Sequence, residues 1–215
     1  MRRKEEGKEM LQLKGRINSS NVMKALWVLD EIGLDYERED VGGAFGKNHE
    51  APYLGLNPNG RIPTIIDGDL VLWESNSIVR YLAATHSAGT LWLTDAAARA
   101  RCDMWMDWQL TELVHGMVPV FHGLIRKSAE ERDMDAINTA RDDWAAKWRI
   151  LNDHLSRNTY IGGDSFTIAD IPIGPLAYRW YELPIEREDF AHLKRWYDLI
   201  CARPAFQKHC MTGLS

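Results

Sequence analysis

A chain of 215 residues is long enough for one large domain or for two small ones sharing an interface. With 45% hydrophobic and 27% charged residues it has the composition of an ordinary globular protein. Its net charge of −5 leaves no electrostatic footprint for nucleic acid or for an anionic membrane.

In chain order, residues 1–9 (MRRKEEGKE) are polar and densely charged, without the apolar core of a secretory signal. They read as a tail, or as sequence upstream of a start at Met10. LQLKG, YERED, TIIDG and LVLWE then read as strands bounded by turn signals. Residues 20–33 place Val22, Ala25, Leu26, Leu29 and Ile32 at helical spacing, and residues 76–86 repeat that pattern. The first two strands, joined by a helix, are expected to be parallel. The last two form an antiparallel hairpin around Asp67-Gly68-Asp69. Residues 87–95 break the periodicity and form a linker. Beyond it only helices are expected, at 96–126, 130–157, 168–182 and 190–203. Thr167 and Asp170 have capping-box spacing, between Phe166 and Ile171 as a hydrophobic staple. No apolar run reaches the roughly 20 residues that cross a bilayer. Cys102, Cys201 and Cys210 form no CxxC pair, metal-ligand pattern or disulfide framework, so a reducing cytoplasmic setting without a bound metal is expected.

The segment Asn57-Pro58-Asn59-Gly60-Arg61-Ile62-Pro63-Thr64-Ile65, followed by Trp73-Glu74-Ser75-Asn76 and a helix ending in Tyr81-Leu82, resembles the cytosolic glutathione transferase superfamily. FTIADI at 166–171 is similar to that family's helix cap. The resemblance covers residues 11–210. It implies an α/β thioredoxin-like domain at 10–86 with a mixed four-stranded sheet, and an all-α helical domain at 96–215. It also implies glutathione as co-substrate, a small electrophile as second substrate, a role in detoxification and a homodimer.

Each matched residue has a chemical reason to be where it is. A cis bond at Pro63 would expose the backbone N–H and C=O of Ile62 to pair with the cysteinyl backbone of glutathione, as an added strand would. Ser75 at a helix N-terminus suits the γ-glutamyl carboxylate, and Glu74 suits the neighbouring ammonium. Arg61, with His49 and Asn48 as weaker choices, is expected near the glycyl carboxylate. The family places its thiol-activating residue just after the first strand. Here the stretch Arg16-Ile17-Asn18-Ser19-Ser20-Asn21 holds neither tyrosine nor cysteine, so Ser19 is the expected donor, with Ser20 and Asn18 as alternatives. Asn21 is a second polar contact to the sulfur. All these residues are also good helix caps, and capping alone would explain them. On the electrophile side Trp108 and His115, seven residues apart, would share one helix face and line a pocket, although such a stripe is more often core. The reactions implied are transfer of glutathione to an electrophilic carbon or, alternatively, glutathione-dependent reduction of peroxides or disulfides. Binding without turnover is the third reading.

Overall fold

The computed structural model describes residues 9–214, so the tail reading, apart from Glu9, lies outside the described residues. Strand β1 (Leu11–Lys14) leads into helix α1 (Ser20–Ile32), and β2 (Tyr36–Glu39) follows. After a short 3-10 turn and the one-turn helix α2 (Ala51–Leu54) come β3 (Thr64–Asp67), β4 (Leu70–Trp73) and α3 (Ser75–His86). The sheet order is β2-β1-β3-β4, with β1 parallel to β2 and antiparallel to β3. Asp67 pairs with Leu70 across a two-residue turn in which Gly68 takes φ 58, as the hairpin signal required.

Helix α1 is buried from Val22 to Leu29 and stops at Gly33, whose left-handed conformation (φ 65) lets its N–H cap the Asp30 carbonyl. It packs on α3 and also on two later helices, so it is the beam shared by both parts of the molecule.

Beyond residue 95 the described residues form helices joined by loops, with a single isolated bridge between Tyr160 and Gly163 and no strand. Helix α4 (Ala96–Trp108) runs through a π-helical stretch (Gln109–Leu113) into α5 (Val114–Phe121) and a second π stretch (His122–Arg126). Then come α6 (Met134–Leu155), α7 (Asp170–Glu182), α8 (Ala191–Cys201) and α9 (Pro204–Cys210). The core is rich in indoles: Trp144 meets Trp180 edge-on at 5.0 Å, and Trp148 tilts against both.

Asp170 is the buried knot of this half. Its carboxylate accepts from the Thr167 N–H (2.9 Å), the Ile161 N–H (3.0 Å) and Trp196 Nε1 (2.8 Å), while Thr167 Oγ accepts from the Ala169 N–H. The expected reciprocal cap is therefore present, and it also ties the preceding loop and α8 to the start of α7.

Gly174 on α7 lies against α1. A Cβ there would sit 2.4 Å from Trp27 Cζ3 and 2.9 Å from Phe206 Cε2. Gly→Ala in a helix ordinarily stabilises by up to about 1 kcal/mol. Here overpacking of buried rings reverses the sign, and Gly174→Ala is expected to cost about 1–3 kcal/mol in urea unfolding. A neutral or stabilising result would mean that α1 and α7 do not pack this closely.

Candidate functional site

The loop before β3 is clamped by its carbonyls. Asn57 Nδ2 and the Tyr53 hydroxyl both donate to the Arg61 carbonyl at 2.7 Å, and Asn48 Nδ2 donates to the Gly60 carbonyl at 2.7 Å. The Ile62–Pro63 bond that follows is cis, and Pro63 is buried. Neither backbone group of Ile62 takes a hydrogen-bond partner among the described residues, which leaves one donor and one acceptor available to a ligand. The Arg61 side chain is exposed. The exposed ring of His49 lies against Gly60, where a Cβ would meet its Nδ1 at 2.7 Å. Lys47 is already paired with Glu39 at 2.7 Å; hydrogen bonds from Lys14 and Lys47 hold that carboxyl down to about 2.

The mouth of α1 shares a depression with this loop, and the mouth of α3 is tied to that of α1. Ser19 is the N-cap of α1 in extended conformation, yet its hydroxyl makes no capping bond. It is half-buried and, with Arg16, Asn48, Arg61 and Ile62, lines an open depression. At the other mouth Glu74 precedes α3 with φ 71, a sparsely populated backbone conformation that costs a residue with a Cβ about 1–3 kcal/mol. Strain of that kind concentrates where structure serves a ligand. The Glu74 carboxylate is exposed and takes no hydrogen bond or ion pair among the described residues. Ser75 is only 4% exposed, and its hydroxyl donates to Asn21 Oδ1 at 3.3 Å. That bond sets the two helix mouths side by side. It also turns the Asn21 oxygen toward Ser75.

Beneath the junction lies a residue the sequence reading missed. Lys24 is fully buried, and its ammonium donates to Gln109 Oε1 (2.8 Å), Asn76 Oδ1 (3.2 Å) and Ser75 Oγ (3.4 Å). It joins α1, α3 and the first π stretch at one point. Burial pushes its pKa down to about 7, partly offset by the negative charge of Glu74. An unfolded chain holds that proton up to the ordinary lysine range while the folded one releases it near neutrality, so stability rises with pH across that window. From about pH 6.5 to about pH 8.5 the unfolding free energy should rise more steeply in wild type than in Lys24→Met, by up to about 1.4 kcal/mol per pH unit. Parallel urea-unfolding profiles for the two proteins would contradict this.

Between Trp108 and His115 lies the π-helical stretch, whose wider turns mean that straight-helix spacing does not by itself put the two on one face. Trp108 packs edge-on against Trp105 (5.1 Å), whose ring meets His154 of α6. His115 is exposed and lies near Glu112, which is paired with Lys147 of α6. Neither lines the depression at Ser19.

Where α5 meets α7, Arg179 lies over the Phe121 ring, 3.9 Å from its centroid, and Arg126 of the second π stretch lies over the same ring at 5.7 Å. Among the described residues no group of three or more His, Cys, Asp or Glu stands close enough to hold a metal, and no helix is long and apolar enough to cross a membrane.

Comparison with known proteins agrees along nearly the whole chain. The glutathione S-transferase N-terminal domain matches residues 11–84, and the C-terminal domain of the same name matches residues 110–204. Glutathione S-transferase GstB of Escherichia coli (strain K12) is 39% identical over 208 residues, covering 96% of this chain and all of that protein. Glutathione S-transferase 3 of Zea mays is 35% identical, with 92% of each chain covered. The crystal structure of a theta class glutathione S-transferase from Xanthomonas axonopodis pv. citri with glutathione bound superposes with a TM-score of 0.92. It is 43% identical and covers 95% of this chain and 99% of that one.

Proposed function

The chain belongs to the glutathione S-transferase family, and from that premise we propose that it binds glutathione between the Ile62 turn and the two helix mouths and delivers its sulfur to an electrophile. In this reading the backbone of Ile62 pairs with the cysteinyl unit. Ser75 and the free N–H groups of α3 take the γ-glutamyl carboxylate, and Glu74 takes the ammonium. Arg61, with His49 and Asn48 beside it, faces the glycyl carboxylate.

Ser19 donates to the sulfur. A free thiol with pKa near 8.5 is only a few per cent thiolate at pH 7. Lowering it by about two units needs about 2.7 kcal/mol of preference for the anion. One hydrogen bond to a charged group contributes about 1.5–3 kcal/mol and a helix N-terminus about 0.3–1 kcal/mol, so a serine suffices without losing its own proton. The observation that carries the reading is the Ser19 hydroxyl itself. It sits at the mouth of α1, makes no cap, and shares a depression with Ile62 and Arg61. Asn21 serves as the strut between the mouths and reaches the sulfur only through its amide.

The test is conjugation. Purified protein should bind immobilised glutathione and convert a chloronitrobenzene to its thioether faster than it reduces an organic hydroperoxide. Cys102 and Cys210 are buried, and burial raises both thiols as it does that of half-buried Cys201, so a reductase cycle would draw every electron from glutathione. Hydroperoxide reduction without conjugation would overturn the transferase reading. A cytoplasmic, detoxifying homodimer completes the proposal, with the end of α3 and helix α4 at its interface.

A further inference from the structure

Arg179 is a buried cation without an acid. It is 8% exposed, and among the described residues its recorded contacts are the Met117 thioether (3.3 Å) and the Phe121 ring, neither of which carries charge. Elsewhere the fold treats arginine differently. Arg203 stacks on Phe166 at 3.8 Å in the same manner, but Glu31 accepts two hydrogen bonds from it at 2.6 and 2.7 Å. Arg38 and Arg80 also have aspartate partners. Arginine is almost never buried unless paired.

The acids on α7 do not supply the missing charge. Asp170 is committed to Thr167, Ile161 and Trp196, and Glu182 is close enough to influence Tyr178. Two more cations stand nearby instead. Arg126 shares the Phe121 ring, and Arg16 is near enough for its charge to lower the pKa of Arg179, which burial first and these two neighbours second bring down to about 10. Arg16 lines the same depression as Ser19. Positive charge therefore gathers next to the depression that holds Ser19.

We propose that Arg179, with Arg126 over the same Phe121 ring and Arg16 nearby in the depression at Ser19, is an anion-recognition site for the second substrate, which accordingly carries a carboxylate or similar oxyanion on an apolar body. The inference rests on the transferase reading for its chemistry. In the reaction the thiol proton goes to solvent, the glutathione sulfur forms a bond to the electrophilic carbon, and halide leaves with the electrons of the broken carbon–halogen bond. The substrate carboxylate is unchanged. An anionic substrate beside an anionic sulfur would be repelled, and the guanidinium groups offset that repulsion. Planar guanidinium is also the group best matched to carboxylate.

Calorimetric titration of the full-length, glutathione-saturated protein with 3-nitrobenzoate and with 3-nitrobenzamide tests the site without turnover. In parallel, conjugation of 4-chloro-3-nitrobenzoate and its amide is measured, each relative to its uncatalysed rate. The acid should be favoured about tenfold or more in both arms, as charge-assisted pairing predicts. That preference should collapse toward unity in Arg179→Met and survive in part in Arg179→Lys. Equal binding of acid and amide by wild type, or a preference that persists in Arg179→Met, overturns the proposal. If Arg179→Met fails to fold, Arg16→Gln and Arg179→Lys decide: a preference unchanged in both overturns it, and a fall in either supports it. Acid binding that depends on Arg179 without conjugation of either compound would leave the anion site standing and remove the transferase reading.

Discussion

Asp170→Ala is expected to lower the unfolding free energy by about 3–5 kcal/mol, the largest loss from any single side chain described above. Removing the carboxylate takes the acceptor from four buried donors: the N–H groups of Ile161 and Thr167, the indole of Trp196 and, at 3.4 Å, the Thr167 hydroxyl. An unsatisfied buried donor costs about 1–3 kcal/mol, and partial relaxation keeps the total below the simple sum. Against a total stability of about 5–15 kcal/mol this is a large share, and at about 2–4 °C per kcal/mol the melting temperature should fall by roughly 10 °C. Asp170→Asn should fall between, since one oxygen can still accept from Ile161 and Trp196 while its amide opposes the Thr167 N–H. Thermal unfolding of the three proteins decides the matter. Equal stability of Asp170→Ala and wild type would mean that the cap does not hold α7 to the preceding loop.

Ser19→Ala should lower kcat/KM for conjugation by roughly 10- to 100-fold, the value of one hydrogen bond to an anion. Glutathione affinity should change little, because Ile62, Glu74 and Ser75 hold most of the tripeptide in this account. The pH–rate profile separates this role from a structural one. Without the donor, the apparent pKa for kcat/KM should rise by about one to two units toward that of a free thiol. Ser20→Ala is the control and should leave the profile in place. An unchanged rate in Ser19→Ala would move the role to Ser20 or Asn18.

The sheet and most helices were legible because period-two and period-3.6 patterns extend over enough residues to register. The hairpin turn and the capping box at Thr167 and Asp170 carried their own chemistry. Helices α2 and α9 were not read: four and seven residues give less than two turns of pattern, and each has a proline at its first or second position. The helix expected from 130 begins at Met134, because Ser128 with Glu131 and then Asp133 cap two successive starts. The π stretches leave no mark in the sequence, and the first of them lies between Trp108 and His115, where it breaks the spacing that a plain helix would give. Lys24 and Arg179 were missed for another reason. A lone cation in an apolar helix is indistinguishable from one reaching solvent until its neighbours are placed. By contrast Ile62, Pro63, Glu74 and Ser75 stood out because they fall in the two segments that resemble the family's motifs.

The most direct measurement is a crystal structure of this chain with glutathione bound. The account predicts paired hydrogen bonds between the Ile62 backbone and the cysteinyl unit, with the sulfur within about 3.3 Å of Ser19 Oγ. A sulfur closer to Ser20 or Asn18, or a tripeptide that leaves Ile62 unpaired, would contradict it.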